Sequence, residues 1–548
     1  MKKELNIQHS TLKTENSAFN TQNSKLPKGW VWVKLGEIAE IISGVSFKPE
    51  QLCKQDVENV RILRGGNIQN DDYFLLEDDY FVPKDIVSDD QLLRRYDIIL
   101  VSSTGSKQTI GKAAIIKEEL NNLSVGAFLR IIRIYENIQK KYIGFYFYTL
   151  SYRNYIREIV KGVNIDNIKD SYLNEMFLPL PPLPEQHRIV AKIEELFTKL
   201  DAGVEALKKA KEQIKRYRQA VLKYAFEGKL TEEWRKSFEL LMLNNELKET
   251  QNPKLNIQHS TFNTQHSKFT TQNYEPASVL IERIKEERKK KLGNKYRELP
   301  PIDTSELPEL PEEWMWTCLG NIAEFKNGIN FNKDLKGNKG ILTVDVLNMY
   351  SKGVFLNLDG LYRVNKVVNQ EYLLRDGDVL FVRSSVKREG IGWASAFKEI
   401  GEPVIFCGFI IRARFPKYRI LPKYAVYFLR TDFARKLIIG KGSQVTITNI
   451  SQNSLATIPF PLATTTEQQK IVEEIERRFS VADEVEKAID NSLKQAERLR
   501  QSILKRAFEG KLVPQDPNDE PAEKLLERIR DEKIKRESEK KVKKKGGK

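Results

Sequence analysis

Cysteine is scarce in this chain: three in 548 residues, Cys53, Cys318 and Cys407, with no close spacing among them. That scarcity argues against a disulfide framework and against a thiolate metal site, and it fits a reducing cytoplasm. Long apolar runs are missing too. Nothing approaches the ~18 residues of a membrane span, and the opening MKKELNIQHS has two lysines with no apolar core behind them, unlike a secretory signal. Histidine is equally rare. His9, His259 and His266 sit in polar repeats, and His187 lies on a predicted helix where its repeat partner is Gln469, so it reads as a surface residue rather than a base or ligand.

Catalytic signatures are absent as well. G-x-S-x-G, a Rossmann glycine fingerprint, His/Cys metal spacing and an N-P-P-[YF] tetrapeptide do not occur. The nearest approach is STGSKQTIGKAA, Ser103 to Ala114, which imitates a phosphate-binding loop. Its Gly105 to Gly111 spacing is one residue too long, and Ala113 stands where a Mg²⁺-binding hydroxyl is needed. The repeat partner has Trp393 in the lysine's place, so nucleotide hydrolysis is rejected. Gly111 and Gly392 are expected to turn the chain between two strands. The chain reads as non-catalytic, with no metal or cofactor of its own.

What is abundant is positive charge. Lys and Arg number 91 against 75 acidic residues, a net charge of +16. Such an excess favours a polyanionic partner, nucleic acid ahead of an anionic membrane. The tail from Lys533 to Lys548 contributes, but basic residues are scattered through both halves.

The chain is also written twice. LPKGWVWVKLGEIAEIISG (Leu26 to Gly44) returns as LPEEWMWTCLGNIAEFKNG (Leu310 to Gly328), and LRRYDIILVSSTGS (Leu93 to Ser106) as LRDGDVLFVRSSVK (Leu374 to Lys387). EQHRIVAKIEELF (Glu185 to Phe197) returns as EQQKIVEEIERRF (Glu467 to Phe479), and AFEGKL closes both copies, at Ala225 and Ala507. Offsets between 281 and 284 mark two copies of one unit. A basic helix follows each ending, EPASVLIERIKEERKKK from Glu275 and EPAEKLLERIRDEK from Glu520. Polar seven-residue repeats beginning at Asn6 and Asn256 have one apolar residue in seven, too little burial to offset ordering entropy, and are expected to be disordered.

Each unit has two parts. Short β-rich runs with a helical stretch predict a compact α+β domain over 27–183 and 310–462. A proline-rich stop follows, with Pro184 in a helix first turn and Thr466 as a cap. Apolar residues then recur at steps of three and four: Ile189, Ile193, Leu196 and Leu200 in one copy, Ile471, Ile475, Phe479 and Leu493 in the other. That pattern predicts coiled-coil helices over 184–230 and 463–512, stopped by Gly228 and Gly510 and each roughly 65 Å long. Residues 1–26 are expected to be disordered polar repeat, 231–309 a linker with polar repeat and a short basic helix, and 513–548 a basic helix and tail. Two such seams in one chain are expected to pack against each other, parallel or antiparallel, the alternative being two helices of separate bundles.

The STGSK loop has a second use. Ser102, Thr104, Ser106, Lys107 and Gln108, and in the other copy Arg383, Ser384, Lys387 and Arg388, are side chains suited to phosphates and base edges. They are the candidate DNA-binding residues.

The W-x-W-x-x-LG-x-IA start, the EQ-x-x-IV helix opening, the AFEGKL exit and the EPA-x-x-L-x-x-RI tail, in this order and twice, resemble the specificity (S) subunits of type I restriction–modification systems. The resemblance covers nearly everything outside the polar repeats. It implies two target recognition domains, each reading one half of a bipartite double-stranded DNA target, joined by two long helices in an antiparallel coiled coil that sets the spacer. It also implies docking of two modification (methyltransferase) subunits using S-adenosylmethionine, and of restriction subunits with an ATP- and Mg²⁺-dependent translocase and nuclease. The chain itself would carry no cofactor and catalyse nothing.

Overall fold

A computed structural model describes residues 25–240 and 275–545 apart from 70, 107–108, 162–166, 418 and 441–447. The polar repeats, with His9, His259 and His266, fall outside these residues except for Lys25 and Leu26.

In chain order the first copy folds into β1 (Val31–Lys34), β2 (Ala39–Ser43), β3 (Val60–Leu63), β4 (Tyr80–Val82), β5 (Ile98–Val101), β6 (Ala113–Ile115), β7 (Leu123–Val125), β8 (Leu129–Ile134), α1 (Lys140–Tyr146), α2 (Leu150–Lys161) and β9 (Phe177–Leu180). Helix α3 (Leu183–Phe226) and, further on, α4 (Ala277–Leu292) follow. The second copy repeats the plan with β10 (Met315–Cys318), β11 (Glu324–Asn327), β12 (Ile341–Val344), β13 (Tyr362–Val364), β14 (Val379–Val382), β15 (Ala394–Ala396), β16 (Val404–Phe406), β17 (Ile410–Arg414), α5 (Pro422–Leu429), α6 (Asp432–Gly440) and β18 (Pro459–Leu462). Helices α7 (Thr465–Phe508) and α8 (Ala522–Lys545) close the chain.

The chain forms two compact units, and their division falls inside both long helices. Unit 1 is Met1–Lys208 with Asp490–Lys548; unit 2 is Lys209–Ile489. In unit 1 the sheet order is β2-β8-β5-β6, all antiparallel, beside a three-stranded sheet β4-β3-β7 in which β3 and β7 are parallel. The apolar run IILV of β5 is buried at all four positions, as a strand covered on both faces must be. Unit 2 repeats this with β11-β17-β14-β15 and the parallel pair β12–β16.

Each unit is completed by the other copy's ending. In unit 1, Phe508 from the second AFEGKL packs on Tyr142 and Tyr146, with ring centroids 4.9 and 5.2 Å away. In unit 2, Phe226 from the first AFEGKL packs on Tyr424 and Phe428 at 5.1 and 5.3 Å. These are equivalent pairs of aromatic positions, so the hexapeptide recurs because it fills the same socket twice. Gly228 and Gly510 end their helices at φ +70° and +67°. The next amide reaches back to Tyr224 O at 3.0 Å and to Arg506 O at 2.8 Å, closing the last turn as a left-handed glycine permits.

Within each unit the two long helices run antiparallel. In unit 1 the Arg500 guanidinium pairs with Asp201 and stacks over Phe197 at 4.2 Å. In unit 2, Arg218 pairs with Asp483 at 2.6 Å and lies over Phe479 at 5.1 Å. Ile189, Ile193, Ile471 and Ile475 are buried in cores built mainly by the recognition domains, whereas Leu196, Leu200, Phe479 and Leu493 are half-buried. The first two turns of each helix thus anchor a domain, and the seam proper begins later. The second helix is capped by Thr464, not Thr466: its Oγ1 accepts from the Glu467 amide at 3.2 Å, because the helix starts two residues earlier than a Thr466 cap implies.

Candidate nucleic-acid interface

The EQ motif fixes each domain to its helix. Glu185 accepts the Trp30 indole N–H at 3.0 Å, and Glu467 that of Trp314 at 2.6 Å. Gln186 and Gln468 accept from the amides of Gln139 and Leu421, both at 3.0 Å, while donating to Pro181 O and Ala463 O. His187, one residue on, is exposed, with its ring against the Gln139 amide. The aspartates of LRRYD and LRDGD are structural too. Asp97 receives two hydrogen bonds from Arg133 at 3.0 and 2.7 Å, and Asp378 two from Arg414 at 2.7 and 2.6 Å.

With the frame fixed, one end of each domain gathers loops. In unit 1 these follow β2, β3 and β5 and precede β8. Two glycines let the backbones cross there: a Cβ at Gly44 would strike the Gly126 carbonyl oxygen, and one at Gly328 that of Cys407. Gly111 and Gly392, at φ +71° and +61°, turn the chain between β5 and β6 and between β14 and β15. Ile156 and Ile438 press against them, so neither admits a side chain.

The candidate DNA-binding residues divide sharply. Ser102 is buried; its Oγ donates to Phe128 O at 3.0 Å and accepts from Arg130 at 3.2 Å, so it braces the loop from inside and cannot reach a base. Arg383 is half-buried and donates to Gly408 O at 3.2 Å. Ser384 donates to the Asn449 side chain as part of a short ladder. Thr104 is half-buried and accepts the Ser106 amide, leaving Ser106 exposed. Lys387 and Arg388 are exposed at the loop tip; Lys107 and Gln108 lie outside the described residues.

Between the two copies the frame of this loop end is kept and its face is changed. Asn67 and Asn348 fix the turn after β3 and β12 identically, accepting the amides of Arg64 and Asp345 at 2.7 and 2.9 Å. Yet Arg64 in one domain is Asp345 in the other, and the glycine at 66 becomes Leu347, 85 % exposed. The candidate residues above do not include this turn, whose signal in the sequence is the matched asparagine of LRGGNIQ and VDVLNMY. Among the described residues no cluster of His, Cys, Asp and Glu could hold a metal, and no helix is long and apolar enough to cross a membrane.

A duplicated α+β frame with two unlike loop faces and a strongly basic chain defines a double-headed recognition protein. The family model of the type I restriction modification DNA specificity domain matches residues 27–216 and again 311–495. The chain belongs to that family: it is a DNA-recognition subunit of a type I restriction–modification system and not an enzyme. It is 28 % identical over 524 residues to the type I restriction enzyme EcoKI specificity subunit of Escherichia coli K12, covering 93 % of this chain and 96 % of that one. It is 27 % identical over 520 residues to the StySPI specificity subunit of Salmonella potsdam, covering 93 % and 96 %. A solved structure described as the basis of complex assembly and conformational transition of the type I R-M system shares its fold, with a TM-score of 0.58 at 16 % identity over 89 % of this chain and all of that one.

Proposed function

We propose that each loop end reads one half of a bipartite duplex target. The observation that carries this is the contrast above: one hydrogen-bonded frame, two different exposed faces. Ser106, Lys387 and Arg388 stand at those faces and are suited to phosphate and base-edge contacts.

The two 44-residue helices set the spacer and dock two modification subunits. In support, the seam of unit 1 leaves an apolar groove of about 530 Å³ beside Leu200, Val204, Leu207, Ala496 and Leu499. S-adenosylmethionine would be held by the modification subunits, and ATP and Mg²⁺ by restriction subunits that join them.

Reconstitution with the modification subunits followed by genome-wide mapping of methylated adenines tests the reading. A two-part motif with a fixed gap is expected, and exchanging residues 27–183 for another domain should change one half of it. A continuous motif would refute the reading. Adding a heptad to both long helices, about 10.5 Å, should widen the gap by about three base pairs.

A further inference from the structure

Two phenylalanines occupy the same place in the two domains and belong to neither core. Phe128 immediately precedes β8 and is 68 % exposed; Phe409 immediately precedes β17 and is 58 % exposed. Leu129 pairs with Val101 and Ile410 with Val382, the same register in both sheets.

Both are held rigidly. The turn is closed by Leu129 N–H on Gly126 O at 2.8 Å and by Ile410 N–H on Cys407 O at 3.0 Å. The Phe128 carbonyl accepts the amides of Ser102 and Ser103 at 2.9 and 3.0 Å, and the Phe409 carbonyl that of Arg383 at 2.7 Å. The carbonyl before each is held by a guanidinium, Ala127 O by Arg130 at 3.1 Å and Gly408 O by Arg383 at 3.2 Å. Arg130 lies within β8 and Arg383 just after β14, so the same turn is braced by two unrelated routes.

A single exposed apolar side chain needs no explanation. An exposed ring on the same hydrogen-bonded turn in two domains whose neighbouring loop residues have diverged does. The backbone beneath each ring is tied to the polar loop that follows β5 or β14, through Ser102 and Ser103 in one domain and Arg383 in the other.

We propose that Phe128 and Phe409 are apolar wedges that enter the target duplex, one in each half-site, packing against a base step or a thymine methyl while the basic loops hold the phosphates. This rests on the reading that the loop ends face DNA. It adds an element that reads deformability rather than hydrogen bonds.

The test uses the full chain assembled with its modification subunits and duplexes carrying the mapped motif, with 2-aminopurine placed at successive positions. The parent complex should show a fluorescence rise at one step in each half-site. Phe128→Ala should abolish it in one half only and weaken binding by about fivefold to a hundredfold, with Phe409→Ala doing so in the other half. Phe→Leu at either site should restore part of the affinity. If both alanine variants bind and unstack the duplex as the parent does, the wedge is refuted while the two-part motif stands. Loss of modification-subunit assembly in either variant would instead assign the ring to a protein partner and overturn the proposal. If the parent yields no two-part motif, the underlying DNA reading fails.

Discussion

Trp30 and Glu185, 155 residues apart, are joined by one buried hydrogen bond of 3.0 Å from indole to carboxylate. The second copy has the same bond between Trp314 and Glu467, but there Arg235 at 2.8 Å and Thr231 at 2.7 Å also reach the carboxylate. In the first copy, among the described residues, no arginine pairs with Glu185, and Arg188 pairs instead with Asp519 at 2.6 Å. Identical motifs therefore sit in unlike electrostatic settings.

That difference predicts opposite responses to one substitution. Burial holds the Glu185 carboxyl above its usual range. The folded state thus takes up its proton more readily than the unfolded state. Its stabilising contribution is complete below the ordinary carboxylate pKa and is lost as pH rises through the folded value. Glu185→Gln keeps an acceptor for the indole and removes the buried charge. Its melting temperature should equal or exceed the parent's at pH 7, with the gap closing towards pH 4. Glu467→Gln strands the Arg235 guanidinium and should melt lower at neutral pH.

The reciprocal sockets predict a distant effect. Phe508→Ala removes a half-buried ring packed against the core of unit 1, at a cost below the ~3–5 kcal/mol of a fully buried phenylalanine. Hydrogen exchange should quicken in residues 26–180, although the substitution lies in the second copy. Phe226→Ala should quicken exchange in residues 310–460. Acceleration confined to each substituted residue's own copy would contradict the socket arrangement.

A third prediction concerns the paired sheets. Asp97 is almost wholly buried and receives two bonds from Arg133. Asp97→Ala leaves that guanidinium without its carboxylate and should cost about 3–5 kcal/mol. Because Asp97 lies at the start of β5, away from the loop end, any complex that still assembles should keep the parent's recognition motif.

Much of this was legible in the sequence. The two copies, the two helices and the glycine stops announced themselves because burial periodicity and left-handed glycines are local properties. What an apolar period does not carry is the identity of its partner. In sequence Phe226 and Phe508 are simply part of the AFEGKL helix ending, and only the fold shows that each fills the other copy's domain. Phe128 was hidden by its surroundings: AFLRIIRI reads as one continuous strand, and the chain turns just before Leu129. Ser102 failed as a candidate for the converse reason. A serine after a strand reads as loop, but here the hydroxyl turns inward to hold the neighbouring turn.

The charged loop tip of the second domain gives the last prediction. Lys387 and Arg388 are exposed, and the loop behind them is fixed by Arg383 and by the Ser384–Asn449 pair. Phosphate contacts release counterions, so each one lost should lower the slope of log affinity against log salt by about one. The double variant Lys387→Ala, Arg388→Ala should therefore bind more weakly at low salt, with a slope shallower by about one to two. Were they to contact base edges instead, the salt slope would hold and discrimination at particular positions of one half-site would relax. Titrations of specific and scrambled duplexes over a salt series separate the two roles. A variant indistinguishable from the parent on both measures would remove this loop tip from the interface.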